Sequence, residues 1–177
     1  YIMEIKKIEI IAEIANAHQG KAKMAIKIAK EAIEAGADAI KFQMYTADDL
    51  LISTHERYEH FKKQSFSLDD WDMIFRDIGN CKAKIYADIF GLDSFNISQK
   101  YKIDGYKIHF SDLTNVPLLK LIVKTGKDIF IGSGGASLQE VSYALDIIKT
   151  YSKNNQKIIL LHGFQAYPTE IADTNLD

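Results

Sequence analysis

Along this chain, β-branched apolar runs alternate at a steady pace with runs of helical periodicity, and that alternation restricts the fold more than any single motif. Ile8 to Ile14 reads as a strand, and Lys21 to Ala35, with Met24, Ile28 and Ala32 at helical spacing before Gly36, reads as a helix. The strand Ala39 to Gln43 follows. After it comes a charged, aromatic insertion, Asp48 to Ser65, read as a lid or an interface arm, and then a helix opened by Ser67 as N-cap. The series continues with strand Lys84 to Ile89, helix Asp93 to Tyr101, strand Tyr106 to Phe110, and helix Val116 to Thr125, which carries Pro117 in its first turn. Strand Ile129 to Ile131, helix Ser137 to Tyr151 and strand Lys157 to His162 bring the count to six βα-type units, the sixth without its helix. Such order implies a parallel sheet with right-handed crossovers, either a doubly wound sheet or a (β/α)8 barrel.

Turn chemistry decides between the two. A dinucleotide-binding sheet carries G-x-G-x-x-G directly after its first strand. Here that place is taken by Asn16-Ala17-His18-Gln19-Gly20, and the glycine-rich turn Gly132-Ser133-Gly134-Gly135 comes after the fifth strand instead. That turn either cradles phosphate at a helix N-terminus or simply joins strand to helix. Polar residues also gather at nearly every strand's C-terminal end: Glu13, Gln43, Asp88, His109, Ser133 and His162. A barrel collects its site at that rim. The expected fold is therefore an α/β (β/α)8 TIM-type barrel with about six strands present, forming one catalytic domain over residues 1–177. Because a typical barrel takes about 250 residues, this domain is expected to be incomplete at its C-terminus.

Composition narrows the partners. A net charge of -2 and 47% hydrophobic residues describe a chain that buries a core and lacks the polybasic signature of nucleic-acid or anionic-membrane binding. No apolar stretch approaches the roughly 20 residues of a membrane span, and no secretory signal opens the sequence. A cytoplasmic protein acting on small molecules is expected. The single cysteine, Cys81, reads as a structural thiol.

Two lysines carry the functional signal. Lys41 is followed two residues later by Gln43, and Lys107 by His109, so period-2 geometry points each pair to one face of its strand. On one parallel sheet, both ammonium groups arrive at the same rim and suit an anionic small molecule. Histidines 18, 109 and 162 invite a metal site, but they read better as pocket and structural residues. His55 and His60, in the insertion, read as solvated.

Several stretches resemble the sialic acid synthase family in order and spacing. They are Ala12-Glu13-Ile14 with His18-Gln19-Gly20, the run from Ala35 to Gln43, Gly105-Tyr106-Lys107-Ile108, Leu113 to Leu119, Ile131 to Val141, and Leu160-Leu161-His162 with Tyr167-Pro168-Thr169. The resemblance covers essentially the whole chain. It implies a phosphoenolpyruvate-dependent, C–C bond-forming synthase of the transferase kind. Such an enzyme joins phosphoenolpyruvate to an N-acetylated amino sugar, making a nine-carbon 2-keto sugar acid with release of phosphate. It further implies a divalent metal, Mn2+ or Mg2+, with ligands on strands past Asp177, and a possible homodimer.

By matching position, the resemblance gives Glu13, Lys41 and Lys107 catalytic roles. Glu13 matches the acid that contacts sugar and metal-bound water, and the lysines match those of the phosphoenolpyruvate site. Gln43 and Tyr167 match substrate contacts, and Gln165 stands where the family commonly carries a sugar-binding asparagine; His18, Asp88, His109 and Ser133, polar residues at or near the rim, are read as further substrate-binding residues. Departures accompany the matches. Ala87-Asp88-Ile89-Phe90 replaces a Ser-Thr-Pro-Phe-like stretch, His109-Phe110 replaces a small residue and serine, and Gly132 replaces another serine. Each lost hydrogen bond to a charged group is worth about 1.5 to 3 kcal/mol, so the donor site is expected to be altered. Two alternatives stay open: an aldolase or lyase using Lys41 or Lys107 as a Schiff-base amine, and a non-catalytic sugar-binding barrel.

Overall fold

A computed structural model of the chain describes residues 8–153, 155–166 and 168–175. Its strands are β1 (Ile11–Glu13), β2 (Ala39–Met44), β3 (Lys84–Ile89), β4 (Gly105–Ile108), β5 (Asp128–Gly132) and β6 (Ile158–Leu161). All pair in parallel, and the sheet order is β1-β2-β3-β4-β5-β6. A doubly wound sheet reverses direction at a switch point. This one never does, so the strands form an arc of a (β/α) barrel, as the turn chemistry predicts.

Helices α1 (Ala22–Glu34), α2 (Ala47–Leu50), α3 (Tyr58–Gln64), α4 (Leu68–Ile78), α5 (Leu92–Ser98), α6 (Val116–Lys124) and α7 (Leu138–Tyr151) lie between the strands in sequence. None is long and apolar enough to cross a membrane, among the described residues. Helices α4 and α7 open with reciprocal capping boxes, Ser67 with Asp70 and Ser137 with Glu140, which satisfy backbone N–H groups at both starts.

Strand alternation divides the core into two unequal parts. Outward residues such as Ile40, Phe42, Met44, Ile85, Ile89, Ile129 and Ile131 pack with the helices in one large buried cluster. On α4, Trp71, Ile74, Phe75 and Ile78 recur at helical spacing on the buried face. Phe42 and Phe66 both meet the Trp71 ring edge to face, at 5.9 and 5.0 Å. Full burial of one such side chain stabilises the fold by about 1.5 to 3 kcal/mol. Inward residues Ala39, Tyr86 and Phe130 make a second, smaller cluster lined by Ile11, Ile159 and Leu161. It fills the barrel interior below the rim.

Two local expectations are corrected. The buried face of α1 is made by Ala22, Ala25, Ile26 and Ala29, whereas Met24 is 42% exposed, and Ile28 and Ala32 sit at the margin of the core. Small alanines let the helix approach the sheet closely, so the larger side chains mark its flank. β1 is also shorter than Ile8 to Ile14: its ladder with β2 is in register from Ile11 to Glu13, while the side chains of Ile8 and Ile10 are exposed.

The insertion is structured and docked. It contains α2 and α3, which sequence periodicity misses because α3 buries no residue and so has no apolar stripe. Asp49 accepts a hydrogen bond from the Ser94 backbone N–H at 3.0 Å, and a Cβ on Gly91 would meet the Asp49 carboxylate at 1.9 Å. At the other end, Gly20 (φ +71°) lies so close to α3 that a Cβ would stand 2.2 Å from the Lys63 carbonyl oxygen. Only glycine fits such approaches.

Candidate functional site

One pleat above Ala39 and Tyr86, strands β1 to β4 deliver an ion cluster. The register sets Glu13 beside Lys41, Gln43 beside Asp88, and Asp88 beside Lys107. One carboxylate oxygen of Asp88 accepts from the Lys41 ammonium at 2.8 Å and from the Lys107 ammonium at 3.0 Å. Lys41 also pairs with Glu13. The side chains of Asp88, Lys41 and Lys107 are 3%, 11% and 19% exposed, against 40% for Glu13, so the cluster opens to solvent on the Glu13 side. Burial alone would pull the Lys41 pKa down, but the charges of Asp88 and Glu13 outweigh it and hold the ammonium above its ordinary value. The second oxygen of Asp88 is buried without a hydrogen-bond partner.

His109 continues this rim. Burial, then the neighbouring Lys107 charge, lowers its pKa, and its Nδ1 lies 3.0 Å from the Ser111 hydroxyl. Gln43 lines a cavity of about 390 Å³ between the rim and the insertion, with Asn16, Tyr45, His55, Arg57, Phe61 and Phe90 among its walls. The Tyr45 hydroxyl, whose pKa burial pushes up to about 12, donates to Asn16 at 2.9 Å. The Arg57 guanidinium stacks 4.9 Å from the Phe61 ring centre. Sequence reasoning missed Asn16, Tyr45, Arg57 and Phe90; His55 is exposed, as its sequence context suggests, and lines the mouth of the cavity. The aromatic content of the insertion was the available signal.

Other sequence-predicted residues lie elsewhere. His18 is buried against Phe66, ring centres 4.3 Å apart, and its Nδ1 accepts from the Gly20 N–H at 3.0 Å. Burial lowers its pKa. It braces the loop after β1 rather than lining the cavity. The Ser133 hydroxyl donates to the Leu161 carbonyl at 2.9 Å and so ties β5 to β6. Exposed Gln165 packs on the glycine turn, where a Cβ on Gly134 would stand 2.8 Å from the Gly163 carbonyl oxygen. The turn's glycines thus answer to local packing. Tyr167 lies outside the described residues. Cys81, partly exposed, donates its thiol to the Ala83 carbonyl.

The rim does not fit a divalent ion. Among the described residues, no three or more His, Cys, Asp or Glu side chains gather so as to hold one. Glu13 and Asp88 are engaged by ammonium groups, whose positive charge opposes a cation. His162 faces the Thr174 carbonyl oxygen at 2.7 Å, and His109 faces Ser111.

A parallel (β/α) arc with lysines and carboxylates converging at the strands' C-terminal ends has the layout of a barrel whose site lies at that rim. A family model, that of the NeuB family, matches residues 28–177, and the chain belongs to this family. It is 32% identical over 168 residues to protein MJ1065 of Methanocaldococcus jannaschii, covering 95% of this chain and 49% of that protein. It is 28% identical to the N,N'-diacetyllegionaminic acid synthase of Campylobacter jejuni, covering 97% of this chain and 56% of that enzyme. Among solved structures, the N-acetylneuraminic acid (sialic acid) synthetase of Leptospira borgpetersenii superposes with a TM-score of 0.87 at 27% identity, covering 97% of this chain and 59% of that one. The chain spans about half the length of the curated relatives it matches.

Proposed function

We propose that this chain contributes the donor half of a synthase that condenses phosphoenolpyruvate with an N-acetylated amino sugar to give a nine-carbon 2-keto sugar acid. The observation that carries this reading is the convergence of Lys41 and Lys107 on one buried carboxylate at the rim of a NeuB-family barrel. In the reaction, the enol carbon forms a bond to the aldehyde carbon of the sugar. One water is consumed, and the phosphate ester leaves as inorganic phosphate. Lys41 and Lys107 would hold the donor's carboxylate and phosphate and fix the enol carbon facing the acceptor. The cavity beside Gln43, walled by Tyr45, Phe61 and Phe90, would receive the acceptor and shield it from water.

The raised pKa of Lys41 supports this electrostatic role over a Schiff base, which requires a neutral amine. A divalent ion, Mn2+ or Mg2+, belongs to the proposal, with ligands other than the rim carboxylates. Homodimerisation and a cytoplasmic location complete the reading. The test is phosphate release by the full-length protein supplied with phosphoenolpyruvate and N-acetylated hexosamines. Release that needs both substrates is expected. No release with any acceptor overturns the reading.

A further inference from the structure

The rim that suits an anion already contains one. Lys41 and Lys107 share the same oxygen of Asp88, and Lys41 also pairs with Glu13, so two ammonium groups and two carboxylates sum to no net charge. His109, the next titratable group along β4, is biased toward its neutral form by burial and by Lys107 and so adds no standing cation. A ligand bearing both a carboxylate and a phosphate cannot reach both lysines without meeting Asp88. It must either displace that carboxylate or sit beside it, and like charge opposes the second course.

The way Asp88 is held favours displacement. Among the described residues, its side chain is bonded by the two lysines and by nothing else, and its other oxygen has no partner although the residue is only 2% exposed. A structural carboxylate is normally held at both oxygens, since a buried polar atom without a partner costs stability. This one therefore depends on the lysines for its position, and it loses that hold when they turn to another anion.

We propose that Asp88 is the rim's resident counter-anion and a specificity-determining residue. It competes with phosphate-bearing carboxylates for Lys41 and Lys107, and it keeps their affinity lower than a neutral side chain would. Phosphoenolpyruvate as the ligand rests on the function proposed above, but the competition applies to any phosphate anion. Glu13 does not play this part, because it engages only one of the two lysines, its other oxygen accepts from the Ala15 backbone N–H, and it stands 40% exposed, where solvent screens it.

The test is isothermal titration of the full-length protein, wild type, Asp88→Asn and Asp88→Ser, with phosphoenolpyruvate and separately with inorganic phosphate, at fixed pH and ionic strength. Thermal melts confirm that each variant is folded, and the serine variant stands in should the asparagine variant fail. Both variants are expected to bind each anion at least tenfold more tightly than wild type. Affinities within twofold of wild type, weaker binding in the variants, or no binding by any form overturn the proposal. The two readings fail separately. Tighter binding of inorganic phosphate in the variants, with no condensation by wild type, upholds the counter-anion and sinks the synthase. Condensation by wild type, with unchanged affinities in the variants, does the reverse.

Discussion

The barrel interior has two layers one pleat apart, and they are built on opposite principles. Below, Tyr86 and Phe130 face each other with ring centres 4.8 Å apart and close over Ala39. Above, the next inward positions of β2 and β3 carry Lys41 and Asp88, and β4 adds Lys107. The lower layer removes apolar surface from water. The upper layer takes charges out of water, which costs free energy and is recovered only through close pairing. A difference of two residues along one strand thus separates the part that stabilises from the part that can bind.

The largest effect should break the lower layer. Phe130→Ala removes a 5% exposed ring and should cost about 3 to 5 kcal/mol in urea unfolding, while phosphate affinity stays near wild type. A large affinity change would show that the layers are not separable. Lys41→Met attacks the upper layer and should cost about 3 kcal/mol, the mild end for breaking a buried pair, because Lys107 still holds Asp88. It should also abolish condensation, read as phosphate release. Tyr86→Phe should cost about 1.5 kcal/mol, measured by the same unfolding, through loss of the hydrogen bond that the Tyr86 hydroxyl donates to Glu9 at 2.8 Å.

The smallest effect is a slope with pH. The pKa values of His18 and His109 are depressed from 6.5, so the unfolded chain binds more protons than the folded one as pH falls below that value. Their contribution is complete above pH 6.5 and is lost as pH falls through the folded pKa values. His18→Phe keeps a ring against Phe66 and should flatten, without abolishing, the fall in stability between pH 7.5 and 5, because His109 also contributes to it. An unchanged slope would remove His18 from that account.

The strand phase was legible in sequence because Lys41 and Gln43, like Lys107 and His109, obey a two-residue period that needs no neighbour. The role of Asp88 was not. Its contact with both lysines depends on the stagger that sets Gln43 beside Asp88 and Asp88 beside Lys107, a relation between strands that no local pattern records. The α1 face went astray for a similar reason, since hydrophobicity favours Met24 while close helix–sheet packing favours Ala25 and Ala29. The cavity walls escaped because α3 buries no residue, so its Tyr58 and Phe61 form no core-facing stripe, and Arg57 and His55 gain meaning only where the insertion lands. The Ser133 hydroxyl was assigned to substrate although β6 claims it.

The unbroken strand order has a bearing on how the chain acquires its shape. Among the described residues, every ladder joins a strand to its immediate predecessor, so each βα unit after the first leaves the ribosome with one of its strand partners already made. Loop closure is limited to one unit at a time. Glu13, Lys41, Asp88 and Lys107 lie on the first four strands, so the charge cluster can assemble before β5 and β6 have been made.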